Sequence, residues 1–416
     1  MTDQPGPSFL TTRKIQVGLI LAAIGPGLLA GLSDDDPAGI TTYSVLGAKY
    51  GYQMLWVLLL SSIALVIFHN LGIKMGVVTG QGLTGLIRQK YGVRSASGAM
   101  LALIFANIGT TCAEFAGIAA GFELFGVSKF VSVPLAAVGV AGLVVKSSFH
   151  RVQQVLLLLS SVFAAYVVSG ILARPDWTAA GVGLVVPTMP LTRDAVVMAT
   201  ATVGTTLAPW GLSFIQSFAV DKHLSLDDLK YSKYDVIVGS ALTAIIGFFV
   251  VVACAATLHE QSLPINDARD AAIALKPLAG SLAGGLFALG LIGAALLAAS
   301  VLPLSTAYSV SEVVGRPAAV NDTIKSAPLF YGTYGAVTLL GALLVLIPGA
   351  PLISILVLSQ VLNAVLLIPL LVMMAGIAHD ETLMGEHRST KRARSVHHVT
   401  ILSITACVVA MGVLSL

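Results

Sequence analysis

The chain has 416 residues, of which 56% are hydrophobic and only 10% charged, and its mean hydropathy is +0.91. Soluble domains carry about 25% charged residues, so this composition excludes a soluble globular protein and specifies an all-α integral membrane protein, read as one transmembrane domain over residues 1–416. The net charge of +3 lacks the basic-aromatic pattern of a nucleic-acid binder, so no nucleic acid is expected as a partner.

Residues 1–14 are polar, and the apolar run after them leads into an acidic stretch rather than an Ala-x-Ala cleavage site, so no signal peptide is expected. Eleven apolar segments follow, each near the ~20 residues that a bilayer requires. They run approximately 15–47, 53–77, 95–122, 129–146, 150–172, 194–220, 233–257, 281–313, 328–348, 351–377 and 396–415. The fourth and fifth are joined by Lys146-Ser147-Ser148-Phe149-His150-Arg151. With the N-terminus in the cytoplasm, 17 of the 23 basic residues fall in inner segments, as the positive-inside rule requires, and the C-terminus lies outside. Asp380 to Arg394 reads as a solvated inner loop. Ala268 to Leu275, in the outer loop from His259 to Gly280, reads as a short surface helix without chemistry. A multi-pass protein of the cell membrane is the expectation, with the bilayer as its surroundings and no obligate protein partner.

Two segments are interrupted at corresponding places. Asp34-Asp35-Asp36-Pro37-Ala38-Gly39 breaks the first, and Thr205-Thr206-Leu207-Ala208-Pro209-Trp210 breaks the sixth. The prolines lie 172 residues apart, a plausible length for five spans. Five is odd, so the second half starts on the opposite side of the membrane. Residues 15–172 and 194–377 therefore read as a 5+5 inverted repeat, LeuT-like in kind, with 396–415 as an added helix. Backbone leaves a helix within a bilayer only where protein buries it or water lines it, and paired breaks of this sort point to a transporter's substrate site.

Carboxylates at membrane depth are expensive and suit a cationic cargo. Carboxylates and free helix-end carbonyls are hard oxygen ligands for Mg²⁺, Ca²⁺ or Mn²⁺. Asp36 precedes a proline, where extended backbone is favoured, so its carboxylate can face a central cavity. One of the three aspartates is also suited to cap the second half-helix, a role assigned more readily to Asp34 or Asp35 than to Asp36. His69 and Asn70 read as interhelical hydrogen-bonding groups, as do Asn107 and Asn363. Gly117 and Gly121 read as a close helix contact, and Cys112, Cys254 and Cys407 as small buried hydrophobes. No nucleophile, base and oxyanion arrangement stands out, so neither an enzyme nor a resident cofactor is expected.

At these residues the chain resembles the Nramp family of divalent metal transporters over most of its length. The resemblance rests on Gly25-Pro26-Gly27 with Asp36-Pro37, on Gly47-Ala48-Lys49-Tyr50-Gly51-Tyr52 with Trp56, and on Thr79-Gly80 through Ile87-Arg88 and Tyr91 as the loop after helix two. Ala113-Glu114, Ala208-Pro209 and Ser359-Gln360-Val361 complete it. It implies a divalent cation held between helices one and six by Asp36, by the residues at positions 39 and 208, by the Thr205 carbonyl and by Gln360.

The departures carry as much information. The family's first motif reads Asp-Pro-Gly-Asn and its Asp and Asn ligate metal, but Gly39 stands at the Asn position. The family's sixth-helix Met-Pro-His brings a thioether to the ion, but this chain has Ala208-Pro209-Trp210. Soft sulfur favours transition metals, and Mg²⁺ keeps several waters. A roomier, sulfur-free site holding a partly hydrated ion resembles the Nramp-related magnesium transporters. The family's proton relay is reduced too. Trp210 and Thr111 replace its His and Asp, residues 329–347 hold no basic residue, and only Glu114 remains. The expectation is therefore Mg²⁺ (and Mn²⁺) import by alternating access without proton coupling. The alternative is a proton-coupled Mn²⁺/Fe²⁺ importer. A sodium-coupled carrier of organic solutes and a metal sensor fit less well, because of the acidic break and the absence of a soluble output domain.

Overall fold

A computed structural model describes residues 30–31, 33–146, 164–265, 270–271, 280, 283–316, 319–320, 322–349 and 352–415. Every regular element among them is helical. Eight helices are long and apolar enough to cross a membrane, with Lys129–Val144 as a shorter apolar one. The first half of the first expected span, the join between the fourth and fifth, most of the expected outer-loop helix and Gly25-Pro26-Gly27 lie outside the described residues.

Residues 30–34 are helical apart from the undescribed position 32, the backbone leaves the helix at Asp35 and Asp36, and α1 restarts at Pro37 and runs to Tyr50. Proline suits a first helical position because its missing N–H would be unsatisfied there anyway. α2 (Leu55–Thr79) ends on Gly80 at φ 64°, a left-handed C-cap that needs glycine. α3 (Leu83–Glu123) is bent at Gly92, where φ is 83°. The stretch from Leu83 to Tyr91, read from sequence as loop, is therefore a short helical arm. Gly80 and Gly82 bound it on one side and Gly92 on the other, and the sequence inside holds no proline to break a helix.

α4 (Lys129–Lys146), α5 (Ala164–Leu172) and α6 (Trp177–Val185) follow. The sequence reading left α6 as outer loop. It forms because Asp176 accepts the Ala179 N–H at 2.9 Å and caps it. α7 (Arg193–Thr206) and α8 (Pro209–Asp221) are the halves of the second broken helix. α9 (Leu229–Cys254) closes in a π-turn over Ala255–His259. α10 (Ala283–Val314), α11 (Pro328–Val345), α12 (Leu352–Ala378), the single turn α13 (Glu381–Met384) and α14 (Lys391–Ser415) complete the chain. α14 starts five residues before the expected boundary, inside the stretch read as solvated loop. That loop is also anchored, with Lys90 Nζ 2.7 Å from Asp380 Oδ2.

The broken helix α7–α8 runs through the centre, 94% of its apolar window being buried, whereas α14 is peripheral at 17%. In lipid, packing rather than water exclusion holds helices together, so small residues set the closest approaches. A side chain on Gly47 would strike Val251 of α9, and one on Gly117 would strike the Pro37 ring. One on Gly121 would meet Ile292 of α10 at 2.7 Å. The close-contact reading of the Gly117/Gly121 pair therefore holds. The three cysteines are free, two of them buried.

Candidate functional site: two broken helices and what they expose

The first break gathers carboxylates. Asp34, Asp35 and Asp36 are 1%, 1% and 3% exposed. Asp36 is the N-cap of α1, with extended backbone (φ −72°, ψ 169°), and its Oδ1 accepts the Gly39 N–H at 2.5 Å. This corrects the sequence reading, which ranked Asp36 behind Asp34 and Asp35 for capping. Only the residue directly before Pro37 has both the extended backbone and the three-residue reach to a free N–H. A carboxylate has about four lone-pair sites, so the cap leaves capacity for an ion. The oxygens of Asp34 and Asp35 are buried with no hydrogen-bond partner, a state that costs free energy unless a cation or water completes it.

Glu114 of α3 is fully buried, and its carboxyl group faces that of Asp36, with which it interacts directly. It lies one turn before Gly117, the residue on which Pro37 rests. Thr111 Oγ1, a turn earlier, is unpartnered.

The second break contributes backbone. α7 ends at Thr206, Leu207 and Ala208 are non-helical, and α8 restarts at Pro209. The helical partner of the Thr205 carbonyl would be the N–H of residue 209, which proline lacks. Ala208 is buried and extended (φ −80°, ψ 142°), and α8 has no side-chain cap. The breaks meet directly. Tyr43 Oη of α1 lies 2.9 Å from Thr206 Oγ1. A Cβ built on Gly39 would sit 2.8 Å from the Asp34 carbonyl and 3.1 Å from Thr205 Oγ1. Gly39 therefore has no room for the family's amide without movement of the break itself.

Of the five site residues expected from sequence, Asp36, Gly39 and Thr205 converge, and Ala208 lies on the same break as Thr205. Gln360 approaches from α12, where its backbone abuts Gly204. Its side chain is engaged elsewhere. Nε2 donates to Ser359 Oγ at 2.9 Å, and Oε1 accepts from Asn363 Nδ2 at 3.0 Å. Asn363 in turn donates to Thr110 Oγ1 of α3, and Asn107 donates to Thr306 Oγ1 of α10 at 2.8 Å. Both asparagines thus bridge helices as read. Asn70 does not, donating to Val66 within its own helix, and His69 has no hydrogen bond at all.

The sequence reading missed a polar track between α8 and α10. Ser305 Oγ donates to the Trp210 carbonyl, Ser213 pairs with Ser309 at 2.8 Å, and Ser217 donates to Glu312 at 2.6 Å. The helical spacing of these residues on both helices was the signal that would have revealed it. The track leads from the second break to a cavity of about 450 Å³ lined by Ser217, Asp221, Tyr308, Glu312 and Asp322. Among the described residues, no three of His, Cys, Asp or Glu stand close enough to hold a metal ion by themselves.

Comparison with known proteins agrees with this fold. The chain matches the family described as Nramp, natural resistance-associated macrophage protein-like, over residues 27–414. Its fold is similar to that of a manganese transporter from Eremococcus coleocola, with TM-score 0.76 and 16% identity over 100% of this chain and 90% of that one. It is also similar to a nucleobase-cation-symport-1 family transporter in a closed conformation, with TM-score 0.58 and 14% identity over 94% of this chain and 90% of that one. The match over nearly the whole chain places this protein in the Nramp family of divalent metal transporters.

Proposed function

We propose that this protein carries Mg²⁺, and Mn²⁺ beside it, across the cell membrane by alternating access without moving protons. The observation that carries the reading is the second break. Where the family brings sulfur to the ion, Ala208 offers a methyl group and the neighbouring Thr205 carbonyl offers oxygen. A site of one capping carboxylate and a carbonyl, joined by the Gln360 amide once it leaves its Ser359 and Asn363 hydrogen bonds, leaves about half of a six-coordinate shell to water. Mg²⁺ dehydrates reluctantly and suits that arrangement. Eleven spans in a 5+5 inverted repeat complete this reading, with α7–α8 as the counterpart of the first broken helix.

Two further features support it. Trp210 is packed against Phe214, with ring centroids 6.3 Å apart, and does not titrate. The α8–α10 track gives the ion oxygen contacts on its way to the acidic cavity. The driving force is sufficient, because a membrane potential supplies about 2.3 kcal/mol per charge per 100 mV, twice that for a dication. The alternative, proton-coupled Mn²⁺/Fe²⁺ import, draws on Glu114, the buried carboxyl beside Asp36.

The test is uptake into proteoliposomes holding a Mg²⁺ indicator and a pH dye at a fixed potential. Mg²⁺ enters with no matching change in luminal pH. Acidification proportional to metal entry selects the alternative, and no uptake of any dication removes both.

A further inference from the structure

The second transmembrane helix brings one more ligand to the breaks. His69, on α2, is completely buried, and neither of its ring nitrogens has a hydrogen-bond partner. Asp34 is in the same condition with both carboxylate oxygens. A buried imidazole normally finds a partner for at least one nitrogen, and a buried carboxylate needs a countercharge or several donors. Two such orphans in one neighbourhood call for a shared third party.

They meet over Gly211, in the first turn of α8. A Cβ placed on Gly211 would lie 3.2 Å from His69 Nε2 and 3.8 Å from Asp34 Oδ1. The two atoms are thus separated by at most the sum of those distances. They look from α2 and from the first break onto the same spot beside the second break. Residue 211 puts no side chain between them, and even a methyl group there would press on the imidazole.

From this geometry we infer a second cation station, formed by His69 Nε2 and the Asp34 carboxylate over Gly211, that takes a borderline dication such as Mn²⁺. It rests on the reading that a dication enters the breaks at all. Nitrogen and carboxylate oxygen together suit Mn²⁺ better than Mg²⁺, which prefers oxygen alone. With only two protein ligands the remaining positions belong to water, so the station binds weakly. Weak neighbouring sites are what conduction requires, because an ion that is held firmly does not leave. The oxygen-only site at Asp36 and the nitrogen-bearing station at Asp34 divide the work between a hard ion and a softer one. A chain without a thioether retains its Mn²⁺ capacity in this way.

The decisive readout is spectroscopic. Purified full-length protein is loaded with Mn²⁺ and examined by electron spin echo envelope modulation, which detects a nitrogen bound directly to the metal. The expected result is ¹⁴N coupling of imidazole type in the wild-type protein, absent in His69→Gln. Bound Mn²⁺ with no nitrogen coupling, or coupling that survives His69→Gln, overturns the station and leaves the Asp36 site standing. Failure of Mn²⁺ to bind overturns both. If His69→Gln does not fold, Gly211→Ala serves instead. Its methyl group occupies the open spot, so the nitrogen coupling weakens or disappears, and full coupling in that variant overturns the inference.

Discussion

The first break is built from charge and the second from neutral dipoles, although each restarts its helix on a proline. At the first, a side chain caps α1 and two further carboxylates stand unpartnered. At the second, α8 has no side-chain cap, and what the break exposes is mostly carbonyl oxygen. The contrast separates two tasks. Charge attracts and holds a cation, and it does so for any cation. Neutral ligands of defined hardness, at fixed distance, decide which cation stays. On the proposed reading, strength of binding belongs mainly to residues 34–36, and the choice between Mg²⁺ and Mn²⁺ to the ligands around them, at residues 205–211 and at His69.

The strongest way to break that division is Asp36→Asn. Asparagine caps a helix about as well as aspartate, so the variant keeps the Gly39 contact and its thermal stability while losing the charge. Uptake of every dication falls by about a hundredfold or more, corresponding to about 2.7 kcal/mol. A well-folded variant that still transports would move binding strength elsewhere. Next comes Ala208→Met, which restores a thioether and shifts the Mn²⁺-to-Mg²⁺ uptake ratio by about tenfold toward Mn²⁺. An unchanged ratio would take selectivity away from the second break.

Gly39→Asn tests whether the charged break can accept a neutral ligand. Its side chain must push on the Asp34 carbonyl and Thr205 Oγ1, so thermal unfolding reports a loss of about 1–3 kcal/mol. A stable variant with raised Mn²⁺ affinity would show that the break accommodates the amide after all.

The smallest effect lies away from both breaks. Lys90 donates to Asp380 and holds its carboxyl below the usual carboxylate range, with Thr382 adding a further hydrogen bond. A depressed folded-state pKa gives stability that is present above the ordinary value near 4 and lost as pH falls through the depressed one. Lys90→Ala therefore costs about 0.2–1 kcal/mol at neutral pH. The difference from wild type narrows below about pH 4, as melting curves across pH will show.

Much of this was legible in the sequence because a bilayer admits few solutions. Pro37 and Pro209 inside apolar runs announced the broken helices. The capping aspartate was not legible, since three consecutive carboxylates look alike until the backbone decides which precedes the helix. α6 was missed because nine residues after an Asp cap resemble a loop by composition. The arm from Leu83 to Tyr91 was missed because its arginine and lysine outweighed its helical periodicity. The meeting of Asp34, His69 and Gly211 was beyond reach, because those residues come from three elements distant in the chain.

One packing detail bears on how such a molecule moves. Gly204 lets α7 rest directly on the backbone of α12 at Gln360, where any side chain would collide with the carbonyl. With nothing compressible between them, those two rods must travel as one body. Leu207 and Ala208 are the non-helical link between that pair and α8, which hydrogen bonds tie to α10 instead. On the proposed reading, the short joint that presents oxygen to the ion is also the place where one half of the broken helix can change its angle to the other, so occupancy and motion act on one stretch of backbone.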